Sequence, residues 1–373
     1  MSTARPEDAV RRAKQELTWT GQPDAAWSVV LEAGMSDPLE ADLVDERLAA
    51  CASAVPELGP PARARAIRAV KLPAVRSAFA DTPYADRGPA LRVALTTERP
   101  AVVLIAGHHG ALDGLGLVAL LGSILAAPIT SSVRGLGPAP AAPWRPRAIL
   151  ARLAEVVLAP PARVVPARHH YRSTGDQLLA ATTPALAGGT ATLVGAALRA
   201  VRGWNRARGG DTRRPVVAIG ASRRDGTSPR LGHEAAWLRL ALAADDDAAV
   251  RLALERAMPA PTGGGLPIPR VLRPLARRAA EQLGSTLLVS NLGSLQGPAE
   301  LQSVAFFPKA YGRSGVALGA ATVGDASTIT MRARARSFGR EDLERLLAQV
   351  VRELPLEAAA GAEPAPLPSA EPA

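Results

Sequence analysis

The chain has 373 residues, of which 47% are hydrophobic and only 3% aromatic, so it can build a sizeable core made mainly of Ala, Leu and Val. This composition excludes a globally disordered chain. The formal net charge is +10, which favours anionic partners, but the arginines are scattered and no basic run is interleaved with aromatic residues, so we expect no nucleic-acid binding.

The predicted elements begin with a polar segment over residues 1–24, either a frayed arm or a short helix, which lacks the apolar stretch of a signal peptide. Residues 25–34 are predicted to form a strand, and residues 37–58 carry apolar side chains at helical spacing. Short strands are expected in "ARAIRAVKL" and "LRVALTT". The continuous apolar run at residues 101–107 is typical of a strand buried on both faces, and a buried helix is predicted over residues 115–127.

The remainder is predicted to begin with a proline-rich loop at residues 134–147 and a helix at residues 148–159. Further helices are expected at residues 185–204, 245–258 and 339–354, and strands at residues 213–224, 235–243 and 285–294 and in the paired stretch "GVALGAATVGDASTITMRARAR". Strands and helices are mixed without strict alternation. We therefore predict an α/β fold with two packed lobes.

The predicted domain organisation has four parts. An N-terminal arm spans residues 1–24, an N-terminal lobe residues 25–165, a C-terminal lobe residues 166–354 and a disordered tail residues 355–373. The longest apolar run, residues 115–129, is too short to span a bilayer, so we expect that the chain is not an integral membrane protein. The single cysteine, Cys51, fits a reducing cytoplasm, and we interpret it as a small core residue.

The stretch "HHGALDG", residues 108–114, places two of the five histidines side by side at the junction of the buried strand and the buried helix. A histidine at the end of a buried strand faces a cleft and titrates near neutrality, which suits a general base. Adjacent residues of a strand point in opposite directions, so one histidine can face the cleft while the other packs inward. The alternative is that Asp113 is an N-cap beside two incidental polar residues.

This stretch resembles the HHxxxDG signature of the condensation-domain and CoA-dependent acyltransferase superfamily, and the resemblance covers most of residues 25–354. The segment "LLVSNLGSLQGP" is similar to a loop of the wax ester synthase/diacylglycerol acyltransferase branch, and polyketide-associated acyltransferases are related. The resemblance implies a chloramphenicol acetyltransferase-like fold, in which mixed α/β sheets form two lobes arranged as a V with an active-site tunnel between them.

The resemblance also implies a role for each matching position of the motif. His109 would be the general base, His108 would be mainly structural, and Asp113 would pair with an arginine. Arg224 in "ASRR" is the favoured partner and Arg223 its close rival.

Three further positions have weaker implied roles. Gly114 would keep the channel open. Ser290 and Asn291 would polarise the thioester carbonyl or shape the acceptor side.

The implied activity is that of an acyltransferase, which moves an acyl group from a CoA or carrier-protein thioester to a hydroxyl or amine of a small-molecule or lipid acceptor. Thioesters are already activated, so we expect neither cofactor nor metal. The implied setting is bacterial specialised metabolism or lipid modification. Two alternatives stay open: a non-catalytic module that recruits a carrier protein, and a condensation-like enzyme that cyclises or dehydrates its substrate. Acyl chain, acceptor, donor carrier and oligomeric state also stay open.

Several other features are given simpler interpretations. The pair His169 and His170 is interpreted as a solvated basic loop rather than a metal site, and the glycine-rich residues 261–267 as a flexible crossing rather than a phosphate loop. His233 stands where the family has Asn, and we interpret it as a loop or strand-edge residue that could instead line the acceptor side. Trp204 and Trp237 are predicted to lie in the core.

Overall fold

The structure is a computed structural model that describes residues 8–17, 22, 24–137, 160–167, 173–224, 227–259, 284–309, 311 and 314–355. Within these residues the helices are α1 Ala9–Glu16, α2 Ala41–Ala54, α3 Leu72–Asp81, α4 Gly114–Leu125, α5 Gly189–Arg206, α6 Asp247–Arg256 and α7 Arg340–Arg352. Their strands are β1 Ser28–Met35, β2 Ala64–Ile67, β3 Leu91–Thr96, β4 Ala101–His108, β5 Thr130–Ser131, β6 Asp176–Pro184, β7 Val216–Ser222, β8 Ala235–Ala241, β9 Leu287–Gln296, β10 Leu301–Phe307, β11 Val316–Val323 and β12 Ala326–Arg334. The predicted helix at 148–159, the pair His169 and His170, residues 261–267 and nearly all of the tail lie outside the described residues.

The first sheet has five strands in the order β10-β1-β4-β3-β2. Strand β4 is buried along its whole length, in agreement with its uninterrupted apolar sequence. Helices α2 and α4 pack on one face through residues such as Leu48 and Leu121, and α3 covers the other face with Val75 against Leu104. Because β4 has apolar neighbours on both faces, it needs no polar alternation.

The second sheet has seven strands, with β6-β12-β11-β9-β7-β8 in order and β5 added beside β9. Helices α5 and α7 bury their apolar faces against it, with Leu193 and Leu346 in the same core cluster as Ile219 and Leu318. The two mixed sheets confirm the predicted α/β class, and β11 and β12 form the predicted antiparallel pair.

The two sheets exchange strands across the predicted lobe boundary at residues 165 and 166. Strand β10 comes from the second half but pairs antiparallel with β1, and Phe307 lies opposite Val30. Strand β5 comes from the first half and pairs with β9. The two halves are therefore tied together by backbone hydrogen bonds as well as by side chains.

Several elements differ from the sequence predictions. The structure adds α3, β5, β6 and β10, which were not predicted, and shortens the strand expected in "ARAIRAVKL" to Ala64–Ile67. The strand expected to end in a loop near residue 294 continues through Gln296. A β-bulge at Gly293, whose φ is +71°, shifts the register with β11 without ending the pairing. Within the described residues, the helices lack the combination of length and apolarity needed to cross a membrane.

Arg332 of β12 links the second sheet to the first. Its side chain is fully buried, and its Nε donates to Asp176 Oδ2 at 2.8 Å. One terminal nitrogen donates to the carbonyl of Ser28 in β1 at 2.7 Å, and the other donates to the carbonyl of Ala80 in α3 at 3.1 Å. The guanidinium therefore satisfies acceptors in three separate elements.

Replacing Arg332 with Met is expected to lower the free energy of unfolding by about 3 kcal/mol or more, because buried acceptors on three elements lose their donor. Urea denaturation followed by circular dichroism measures this change. Arg340→Met is the matched control, since Arg340 forms an exposed ion pair with Glu344 and should change the same quantity by less than about 1 kcal/mol. Equal small effects of both substitutions would contradict the linking role.

Candidate active site

A cavity lies between the two sheets and is lined by residues of both. Its walls are mainly apolar and include Trp27, which precedes β1, Val29 of β1, Leu292 of β9, Phe306 of β10 and Trp237 of β8. The open space measures about 700 Å³, including the part that opens to solvent. His109 stands in this wall.

His109 is fixed by its own backbone and by a short turn. Its N–H donates to the Trp27 carbonyl at 2.6 Å, and its Nδ1 lies 3.4 Å from the Leu112 carbonyl. A proton on Nδ1 satisfies this carbonyl and leaves the lone pair on Nε2. The His109 ring meets the His233 ring edge-on at a centroid distance of 5.2 Å and lies 6.5 Å from Trp237.

His108 diverges from His109, as the alternation of a strand predicts. Its side chain is fully buried, its Nδ1 accepts the Gly110 N–H at 3.2 Å, and its ring packs edge-on against Tyr84 at 5.3 Å. Burial is the main cause that lowers the pKa of His108 to about 4. His108 is thus a neutral residue of the wall behind the cavity.

Asp113 and Arg224 form a buried ion pair that joins the two halves of the chain. The same Arg224 nitrogen lies 2.8 and 2.7 Å from the two carboxylate oxygens of Asp113. Asp113 also caps α4 by accepting the Gly116 N–H at 2.8 Å, so the N-cap interpretation and the ion-pair interpretation hold together. The rival Arg223 donates only its backbone N–H here, to the Glu234 carbonyl at 2.8 Å.

The segment at residues 232–234 closes over this ion pair. The Gly232 carbonyl accepts from Arg224 at 2.8 Å, and the Glu234 N–H donates to Asp113 Oδ2 at 2.8 Å. His233 lies between these two contacts, and its imidazole hydrogen-bonds to the backbone of His109. His233 lies in the loop just before β8, as the sequence predicted, and its ring lies beside that of His109. The sequence feature that distinguishes this position is a histidine after Gly232, where the family has Asn.

Gly114 lies where the neighbouring side chains leave no room for a Cβ atom. A Cβ at this position would lie 2.8 Å from Leu292 Cδ2 and 2.8 Å from Phe306 Cζ, both of which line the cavity. Its φ is not positive, so its role at the helix entry is the close approach of α4 to β9 and β10 and not a special backbone conformation.

Ser290 and Asn291 both line the cavity on β9, but Asn291 is held by its own strand. Its Oδ1 accepts the Gly293 N–H at 2.8 Å within the bulge, and its Nδ2 lies 3.4 Å from Thr190 Oγ1. Trp237 was predicted to be a core residue and is instead a half-buried part of the cavity wall, whereas Trp204 is buried as predicted.

The electrostatic setting keeps His109 neutral. Burial is the largest cause that lowers its pKa to about 3, and the neighbouring His233 acts in the same direction. The Asp113 carboxylate and the contact with the Leu112 carbonyl oppose this shift and favour the protonated ring. The described part of the chain contains no group of three or more His, Cys, Asp and Glu side chains placed to hold a metal ion.

Comparison with known proteins identifies the fold. No family model matches the chain, and no curated protein matches it. A mutant of the starter condensation domain of rhizomide synthetase RzmA, solved with C8-CoA and Leu-SNAC, is 14% identical with a TM-score of 0.56, over 91% of this chain and 92% of that chain. SgcC5 of Streptomyces globisporus is 14% identical with a TM-score of 0.55, over 92% and 97%.

A third solved structure is the cyclization-docking bidomain of EpoB from Sorangium cellulosum, which is 11% identical with a TM-score of 0.57, over 91% of this chain and 83% of that chain. At these identities the likeness is one of fold. The chain therefore has the two-lobed condensation-domain fold, as the sequence resemblance implied.

We expect the His109 imidazole to stay neutral at pH 5, because its folded pKa lies well below the ordinary histidine value of about 6.5. ¹⁵N NMR of the histidine rings measures this, with His109→Gln used to assign the signal. The unfolded chain in urea is the control, since its histidines should titrate near pH 6.5. Unfolding then takes up protons below that pH, so the free energy of unfolding falls as the pH is lowered. A His109 signal that titrates near pH 6.5 in the folded chain would contradict this setting.

Proposed function

We propose that this chain is an acyltransferase, which moves an acyl group from a CoA or carrier-protein thioester to a hydroxyl or amine acceptor bound in the cavity. The observation that carries the proposal is the position of His109 in the wall of a mainly apolar cavity between two lobes, with its Nδ1 turned to the Leu112 carbonyl at 3.4 Å. The fold is shared with a condensation domain solved in complex with an acyl-CoA, which supports a thioester donor here.

In the proposed mechanism His109 Nε2 accepts the proton of the acceptor hydroxyl or amine as that group attacks the thioester carbonyl carbon. The new C–O or C–N bond forms, and the tetrahedral intermediate then expels the thiolate as the C–S bond breaks. The imidazolium of His109 returns its proton to the thiolate, so atoms and charge balance without a covalent enzyme intermediate. The Asp113 carboxylate favours the transient positive charge on His109.

The remaining residues position these groups in the proposal. His108 forms the buried wall behind the base, and Arg224 holds Asp113 in place. Gly114 leaves room for the cavity wall. Ser290 is the better candidate for a contact to the thioester carbonyl, because the Asn291 side chain is engaged in its own bulge.

The proposed partners are an acyl-CoA or an acyl carrier protein as donor and a small molecule or lipid as acceptor. No cofactor takes part, since the thioester itself supplies the activation. The setting we propose is bacterial specialised metabolism or lipid modification.

Replacing His109 with Gln should slow acceptor-dependent thiol release by about 100-fold or more, which is the usual contribution of a positioned general base. A thiol-trapping dye measures release from a panel of acyl-CoAs and acyl-pantetheines, with and without alcohol and amine acceptors. Equal melting temperatures of wild type and variant are the control for folding.

Three outcomes of this assay would contradict the proposal in different ways. Thiol release that requires neither an acceptor nor His109 would contradict acyl transfer with His109 as the base. A product that is a ring or a dehydrated form of the donor would favour cyclisation or dehydration. No turnover, together with tight binding of a loaded carrier protein, would favour a recruitment module.

A further inference from the structure

Lys309 is a charged group in the cavity wall that the proposed mechanism does not use. It directly follows Pro308 at the end of β10 and lines the same cavity as His109. Its side chain is 18% exposed. Among the described residues of the cavity lining, Lys309 alone carries a basic side chain of Lys or Arg type, and the charge of the acidic Asp113 is balanced by Arg224.

Lys309 belongs to a buried cluster in which two cations share one carboxylate oxygen. Lys309 Nζ and Arg332 Nε each lie 2.8 Å from Asp176 Oδ2. The second acid of the cluster, Asp81, accepts the Asp176 N–H at 3.1 Å through Oδ1. Burial and the nearby Asp176 charge raise the pKa of Asp81.

The two cations of this cluster differ in what they can reach. Arg332 is fully buried, and it donates to Asp176 and to the carbonyls of Ser28 and Ala80. Lys309 extends to the cavity surface. Lys309 is therefore the cation of this cluster that faces the cavity, and its ammonium has three N–H donors, one of which is directed to Asp176.

Burial lowers the pKa of Lys309, with the Arg332 charge as the next cause. An anion that enters the cavity beside the Lys309 ammonium is attracted strongly, because the mainly apolar walls screen charges weakly. The other walls near it, Phe306, Pro308 and Tyr311, offer aromatic and aliphatic surface.

We propose that Lys309 binds a carboxylate of the substrate, so that one of the two reacting molecules in the cavity is an acid. This inference rests on the proposed function and names the class of its substrate. The carboxylate can belong to the acyl chain, as in the monothioester of a dicarboxylic acid, or to the acceptor, as in an amino acid or a hydroxy acid. Either source offers the same charge-assisted hydrogen bond to the ammonium.

Equilibrium binding tests this inference without any turnover. For the donor source the probes are non-transferable pantetheine thioethers of equal length that end in a carboxylate or in a carboxamide. For the acceptor source they are valine against valinamide and lactate against lactamide. Isothermal titration calorimetry on the full chain compares wild type, Lys309→Met and Lys309→Arg.

On one of the two arms the carboxylate probe is expected to bind about tenfold or more tightly than its carboxamide. Lys309→Met should abolish this preference and Lys309→Arg should retain part of it. Unchanged binding of the carboxamide to Lys309→Met, and an unchanged melting temperature, show that the cavity is intact.

Equal binding of carboxylate and carboxamide, a preference that survives Lys309→Met, or no binding of any probe would overturn the inference. These failures are separable from failure of the proposed function. A carboxylate preference that depends on Lys309 in a chain without acyl-transfer activity would reject the function and keep the site. Acyl transfer that depends on His109, without any preference for a carboxylate, would keep the proposed function and reject the carboxylate site.

Discussion

The buried ion pair of Asp113 and Arg224 is the interaction on which the arrangement of the site depends. One carboxylate caps α4, receives the guanidinium that follows β7 and accepts the N–H of Glu234 just before β8. Removing two charges from water is costly, and here the cost is offset by the hydrogen bonds to Asp113 and by those from Arg224 to the carbonyls of Arg230 and Gly232. Since His109 lies only four residues before Asp113, this clamp fixes the loop that carries it relative to the second sheet.

The surroundings of His109 combine two opposed effects on its protonation. Burial and His233 keep the ring neutral, as a base must be before it accepts a proton, while Asp113 favours the charged ring that follows. The cavity beside it is mainly apolar, so charges that develop there are weakly screened. Lys309, on β10's side of the same cavity, then supplies a fixed cation that can orient an acidic substrate relative to the base.

The sequence was most informative where the signal is local. The apolar run of β4, the histidine pair after it and the helix that follows share one continuous stretch, and their geometry follows from strand and helix periodicity. Strand β10 was missed because its place beside β1 is a non-local pairing that no periodicity encodes. His233, Trp237 and Lys309 were not assigned to the site for the same reason: an isolated residue of each kind is equally compatible with core, loop or surface until the sheets bring it to the cavity.

A double-mutant cycle on Asp113 and Arg224 tests the central claim, that this pair acts as one unit to hold His109 in the cavity. The measured quantity is the acceptor-dependent rate of thiol release for wild type, Asp113→Asn, Arg224→Met and the combined variant. If the pair acts as a unit, each single change slows the reaction strongly and the combined variant is no slower than the slower single one. Losses that multiply as independent effects would contradict the account.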